Sequence, residues 1–160
     1  MFRVKDGDRT LEFEGEHLAH SSSRKPESDR WVEFDLYRTE RGTYILSRVG
    51  QSVVYHAIDC FVVRRHKQSS APVAVLTEDS VPCTECVPTT SLDNANETVY
   101  PERAIHWAMS YQDAESVVEA LAKYDDGGNR YFTHVSRALL RDASDHDPNL
   151  RASYLTERIL

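Results

Sequence analysis

Alternating apolar and polar positions are the strongest pattern in the first half of the chain. In residues 10–19, Leu11 and Phe13 fall to one side and Glu12, Glu14 and Glu16 to the other, which is the period of a half-buried strand. Residues 31–39 place Val32, Phe34 and Leu36 on one face, and residues 43–48 return with Tyr44, Ile45 and Leu46. Glu40-Arg41-Gly42 between them is a short Gly-containing loop that closes a hairpin. Gly50-Gln51 reads as a second turn, and residues 52–56 as a third strand ending on His56. Residues 20–30 (HSSSRKPESDR) show no period and read as a loop, as does the Thr- and Asn-rich run 89–97. Acidic residues at the outer positions predict a meander with one face toward water.

Beyond residue 112 the period becomes helical. Asp113 is a natural N-cap, Val117, Val118, Leu121, Ala122 and Tyr124 form a stripe, and Gly127-Gly128 stops it. Phe132, Val135, Leu139, Leu140 and Ala143 repeat at the same spacing, and Asp147-Pro148 opens a third helix carrying Leu150, Tyr154, Leu155 and Ile159. Before these, Ile105, Trp107, Met109 and Tyr111 alternate as in a strand, although Pro101-Glu102 would also suit the first turn of a helix. The fold class that follows is α+β. Residues 1–100 form an antiparallel β domain, and residues 101–160 a strand or short helix followed by about three helices packed on it.

Composition narrows the function. The chain of 160 residues carries a net charge of −7, and no third of it has an excess of Lys and Arg. That disfavours general binding to nucleic acid by phosphate neutralisation. Two basic groups are exceptions: Arg64, Arg65 and Lys67, and, on one side of the second helix, Arg130, His134 and Arg137. No stretch approaches the ~18 apolar residues of a membrane span, and the N-terminus lacks a secretory signal, so the cytoplasm is the expected location. Trp31, Tyr37, Trp107 and Tyr111 could stack on bases, but such aromatics more often fill a core.

All three cysteines belong to one stretch, residues 55–88: Tyr55-His56-x3-Cys60, then Pro82-Cys83-x2-Cys86-x-Pro88. His56, Cys60, Cys83 and Cys86 make a four-ligand set for a tetrahedral Zn2+, with His66 a rival for the imidazole position. The alternative is that the cysteines are small buried hydrophobes and His56 a strand-end residue. The stretch resembles the small zinc module of Ada-type DNA-alkylation repair proteins, in a form with His at the first ligand position. In those proteins four cysteines bind zinc and the first accepts a methyl group. With His56 in that place, the resemblance implies metal binding without methyl transfer.

Four protein ligands leave a zinc ion no open position, so the expected ion is structural. Asp59 and Glu85 flank the ligands as candidate acids or bases, but no nucleophile elbow, phosphate-binding Gly loop or deaminase signature accompanies them. The reading is a zinc-stabilised, non-enzymatic accessory protein that binds another protein. The alternative is a nucleic-acid-binding accessory using Arg64, Arg65 and Lys67. Neither a membrane nor a small-molecule substrate is expected.

Overall fold

A computed structural model describes residues 1–26, 28, 30–52, 56–57, 95–96 and 104–156. Among the described residues the fold is α+β, with antiparallel sheets and three C-terminal helices. Among the described residues no helix is long and apolar enough to cross a membrane. The chain divides into two units: Met1–Ser23, Val32–Val49 and His106–Leu160 form the first, and Arg24–Trp31 with Gly50–Ile105 the second.

The first unit opens with a hairpin that alternation alone did not reveal. Strands β1 (Phe2–Asp6) and β2 (Arg9–Phe13) pair antiparallel. Gly7 closes their turn at φ 59°, a backbone state that L side chains rarely adopt. The single strand expected over residues 10–19 therefore breaks at Glu14 into β2 and β3 (Gly15–Ser22). At Gly15 a Cβ would overlap the Arg38 carbonyl oxygen, so β3 can begin here only on glycine.

Strands β3, β4 (Arg30–Thr39), β5 (Tyr44–Ser52) and β8 (Ile105–Tyr111) form a sheet in the order β3-β4-β5-β8. The strand expectation for residues 105–111 is met, and the loop at residues 40–42 closes β4 onto β5, with Thr39 N–H donating to the Thr43 carbonyl. Gly50 lies inside β5 rather than in a turn, and a Cβ added there would make ordinary contact with the Ile105 side chain.

One face of this sheet carries Leu18, Phe34, Leu36, Tyr44 and Leu46 into a core with the helices α1 (Ala114–Leu121), α2 (His134–Ser144) and α3 (Pro148–Leu155). Val117, Val118, Leu121, Leu139, Leu140 and Leu150 fill it from the helical side. Each fully buried Leu or Val contributes about 1.5–3 kcal/mol. Trp107 and Tyr111 pack on the same core, and burial raises the Tyr111 phenol. The opposite face, expected to meet water, is partly covered by the β1–β2 hairpin: Val4 packs with Ile45 and Ala108, flanked by Leu11, Phe13 and Tyr37. The hairpin turn also reaches outermost strand β8, Gly7 N–H donating to the His106 carbonyl at 2.8 Å and Ala108 N–H to Asp6 at 3.3 Å. Occupying an edge strand in this way blocks unwanted strand pairing.

The helix starts at Asp113 and Asp147 agree with sequence expectation, whereas the second helix begins only at His134, after Phe132, and one stop falls elsewhere. Asp113, Thr133 and Asp147 each accept backbone N–H bonds as N-caps. Helix α1 ends at Leu121, before Gly127-Gly128. Instead of capping it, those glycines sit in the turn between β9 (Lys123–Tyr124) and β10 (Arg130–Tyr131), with Asp125 accepting from Gly127 N–H and Asn129 N–H. Tyr124, expected on the apolar stripe, is 53% exposed because the helix stops before it.

In the second unit, β6 (His56–Ala57) pairs antiparallel with β7 (Ala95–Asn96), inside the run 89–97 expected to be loop. The Arg24 guanidinium lies 4.4 Å above the Trp31 ring. Trp31 is buried, and its indole N–H has no hydrogen-bond partner among the described residues.

Candidate functional site

The polar cluster with the most definite geometry is created by a β-bulge. Pairing of β3 with β4 runs His17 to Tyr37 and then, after a register shift, Ala19 to Leu36 and His20 to Asp35. In a regular strand, residues three apart point to opposite faces. The bulge cancels that alternation, so Leu18 and Ala19 are both buried in the helix-facing core while His17 and His20 share the other face.

There both imidazoles meet one carboxylate oxygen of Asp35, His17 through Nε2 at 2.8 Å and His20 through Nδ1 at 3.0 Å. Side-chain exposure is 38% for His17, 48% for His20 and 25% for Asp35, so the cluster is oriented yet open to a partner. Tyr37 backs it: its ring centre is 4.9 Å from that of His17, 5.0 Å from Phe2 and 5.2 Å from Phe13. Burial, followed by the charge of Asp35, raises the Tyr37 phenol above its ordinary value.

A second carboxylate organises the helix-facing side. Asp147 is fully buried. Its Oδ1 accepts from the backbone N–H groups of Asn149 at 2.9 Å and Leu150 at 3.0 Å, and its Oδ2 from Arg38 at 2.9 Å and the Tyr44 hydroxyl at 3.0 Å. Arg38 also pairs with Glu16. Burial first, and then the bond to Asp147, pushes the Tyr44 phenol up to about 12. With no exposed surface on Asp147 itself, this network fastens α3 to the sheet.

An open cleft is lined by Tyr111, Asp113, Glu115, Ser116, Glu119 and Ala120, none of them in the bulge cluster. Its carboxylates are partly committed: Asp113 caps α1 and Glu119 accepts from the Tyr124 hydroxyl.

The zinc expectation is corrected. Among the described residues no group of three or more His, Cys, Asp or Glu is placed to hold a metal ion. Of the expected ligands only the backbone of His56 is described, in β6 opposite Asn96, while Cys60, Cys83 and Cys86 lie outside the described residues. Tetrahedral zinc needs four donor atoms within about 2.0–2.3 Å of one point. Spacing along a chain orders such ligands but cannot make them converge.

Arg64, Arg65 and Lys67, with Asp59 and Glu85, also lie outside the described residues. Arg130 is on β10, its guanidinium 5.1 Å from the Phe132 ring and 3.9 Å from Glu119. His134 is the first residue of α2 and Arg137 lies one turn on, both exposed. The expected cationic face of Arg130, His134 and Arg137 is thus split between a hairpin strand and a helix. Of the aromatics weighed for base stacking, Trp31 is buried, Trp107 and Tyr111 pack on the core, and Tyr37 belongs to the ring cluster above.

No family model matches the chain, and no curated protein or solved structure matches it. The resemblance of residues 55–88 to an Ada-type module accordingly stands on the motif alone. The bulge cluster carried no sequence signal beyond its residue types, because His17 and His20 fall on opposite faces in any regular strand.

Proposed function

We propose that this protein is a non-enzymatic accessory module that binds another protein through the sheet face bearing His17, His20 and Asp35. The observation that carries this reading is the bulge, which aims two imidazoles at one carboxylate on an exposed surface. Exposed ion pairs add little to stability, typically about 0–1 kcal/mol. Orienting three such groups therefore serves recognition more than folding, since side chains already held in place lose less freedom when a partner docks.

Protein is favoured over nucleic acid as the partner by charge. The chain is acidic, and several described cations are already engaged with acids: Arg3 with Glu12, Arg9 with Asp6, and Arg38 with Glu16 and Asp147. The test is to identify the protein retained from host extract, purify it, and measure its affinity for the wild type and for a His17→Ala/His20→Ala variant. The expected result is a loss of at least roughly tenfold in affinity, with urea stability within about 1 kcal/mol of wild type. Equal affinity for both forms would remove this face from the interaction.

A further inference from the structure

We infer that the group received by this cluster is a cationic side chain, arginine or lysine, on a basic segment of the partner protein. The inference rests on the binding role just proposed and adds the chemistry of the ligand. A carboxylate can only accept hydrogen bonds, so the nitrogens facing Asp35, Nε2 of His17 and Nδ1 of His20, must be the ones that donate. In neutral rings the remaining nitrogens, Nδ1 of His17 and Nε2 of His20, are then lone-pair acceptors. Asp35 fixes both tautomers, and the cluster presents acceptors around a single negative charge.

The overall charge of the chain reinforces that polarity. The net charge of −7 adds a field that draws in cations and repels polyanions. A guanidinium, with five donors and a permanent charge, complements several acceptors at once, and an ammonium does so as a point charge.

The probe is an oligo-arginine peptide, with oligo-glutamate of equal length as control, titrated at neutral pH into the full chain. Calorimetry gives the affinity and the histidine ring resonances report the place. Oligo-arginine is expected to bind and to shift His17 and His20, and Asp35→Asn to weaken that binding on the order of tenfold. Shifts of these rings by oligo-glutamate, or binding of oligo-arginine that leaves both rings unmoved, would overturn the inference. So would a purified partner that needs His17 and His20 but tolerates replacement of every Arg and Lys in its contacting segment. In that case the binding role would survive and only the cationic ligand would fail.

Discussion

Asp147 and Asp35 lie in the same unit, and each gathers hydrogen-bond donors around a carboxylate. Asp147 is fully buried and takes two backbone N–H groups, a guanidinium and a phenol. Asp35, on the other face of the sheet, retains 25% of its side-chain exposure and takes two imidazoles. A buried charge must be fully satisfied or it destabilises the fold, so the partners of Asp147 answer to folding. An exposed charge is already solvated, so the imidazoles around Asp35 are free to answer to something outside the chain. Similar chemistry at two depths thus separates a structural fastening from the proposed recognition site.

The contrast breaks most visibly at Asp147. Asp147→Ala leaves the Arg38 charge and the Tyr44 hydroxyl without their shared acceptor and removes the cap of α3. Urea unfolding is expected to show a loss of about 3–5 kcal/mol. Tyr44→Phe deletes one donor while keeping the ring in the core, for an expected loss of about 1–2 kcal/mol in the same measurement. Asp35→Asn is expected to change stability by less than about 1 kcal/mol. A loss at Asp35 as large as that at Asp147 would make both carboxylates structural.

The smallest expected effect concerns pH at an exposed cap. Bonds from Ser116 hold the Asp113 carboxyl below its ordinary value. A carboxyl depressed by folding contributes stability that is fully present above its unfolded-state value and is lost as pH falls through the folded one. The melting temperature of Asp113→Ala is therefore expected to lie slightly below wild type near neutral pH, with the gap closing below about pH 4. A gap unchanged by acid would mean that the cap bonds do not favour the ionised form.

Much of this architecture could be read from the residues in order, and the unread parts share a cause. Phe34 and Leu36, Tyr44 and Leu46, and the caps Asp113 and Asp147 are local patterns, and the chain folds as they direct. Where two segments compete for one surface, pattern was insufficient. The β1–β2 hairpin covers a face expected to be wet because Val4, Leu11 and Phe13 find Ile45 and Ala108 far along the chain. Gly127-Gly128 looked like a helix stop but closes a hairpin, since β9 and β10 pair across it. The bulge at Leu18 inverted the face of His20, and one extra residue in a strand leaves no mark in hydrophobic periodicity. The zinc expectation came from spacing, which carries no information on convergence.

The orientation of the two imidazoles by Asp35 is tested most directly by long-range 1H–15N correlation of the histidine rings at neutral pH. The expected spectrum shows opposite tautomers, protonated on Nε2 in His17 and on Nδ1 in His20, with His20 reverting toward a mixture in Asp35→Asn. Two rings with the same averaged tautomer pattern, unaffected by Asp35→Asn, would contradict the shared hydrogen bonds and the recognition role built on them.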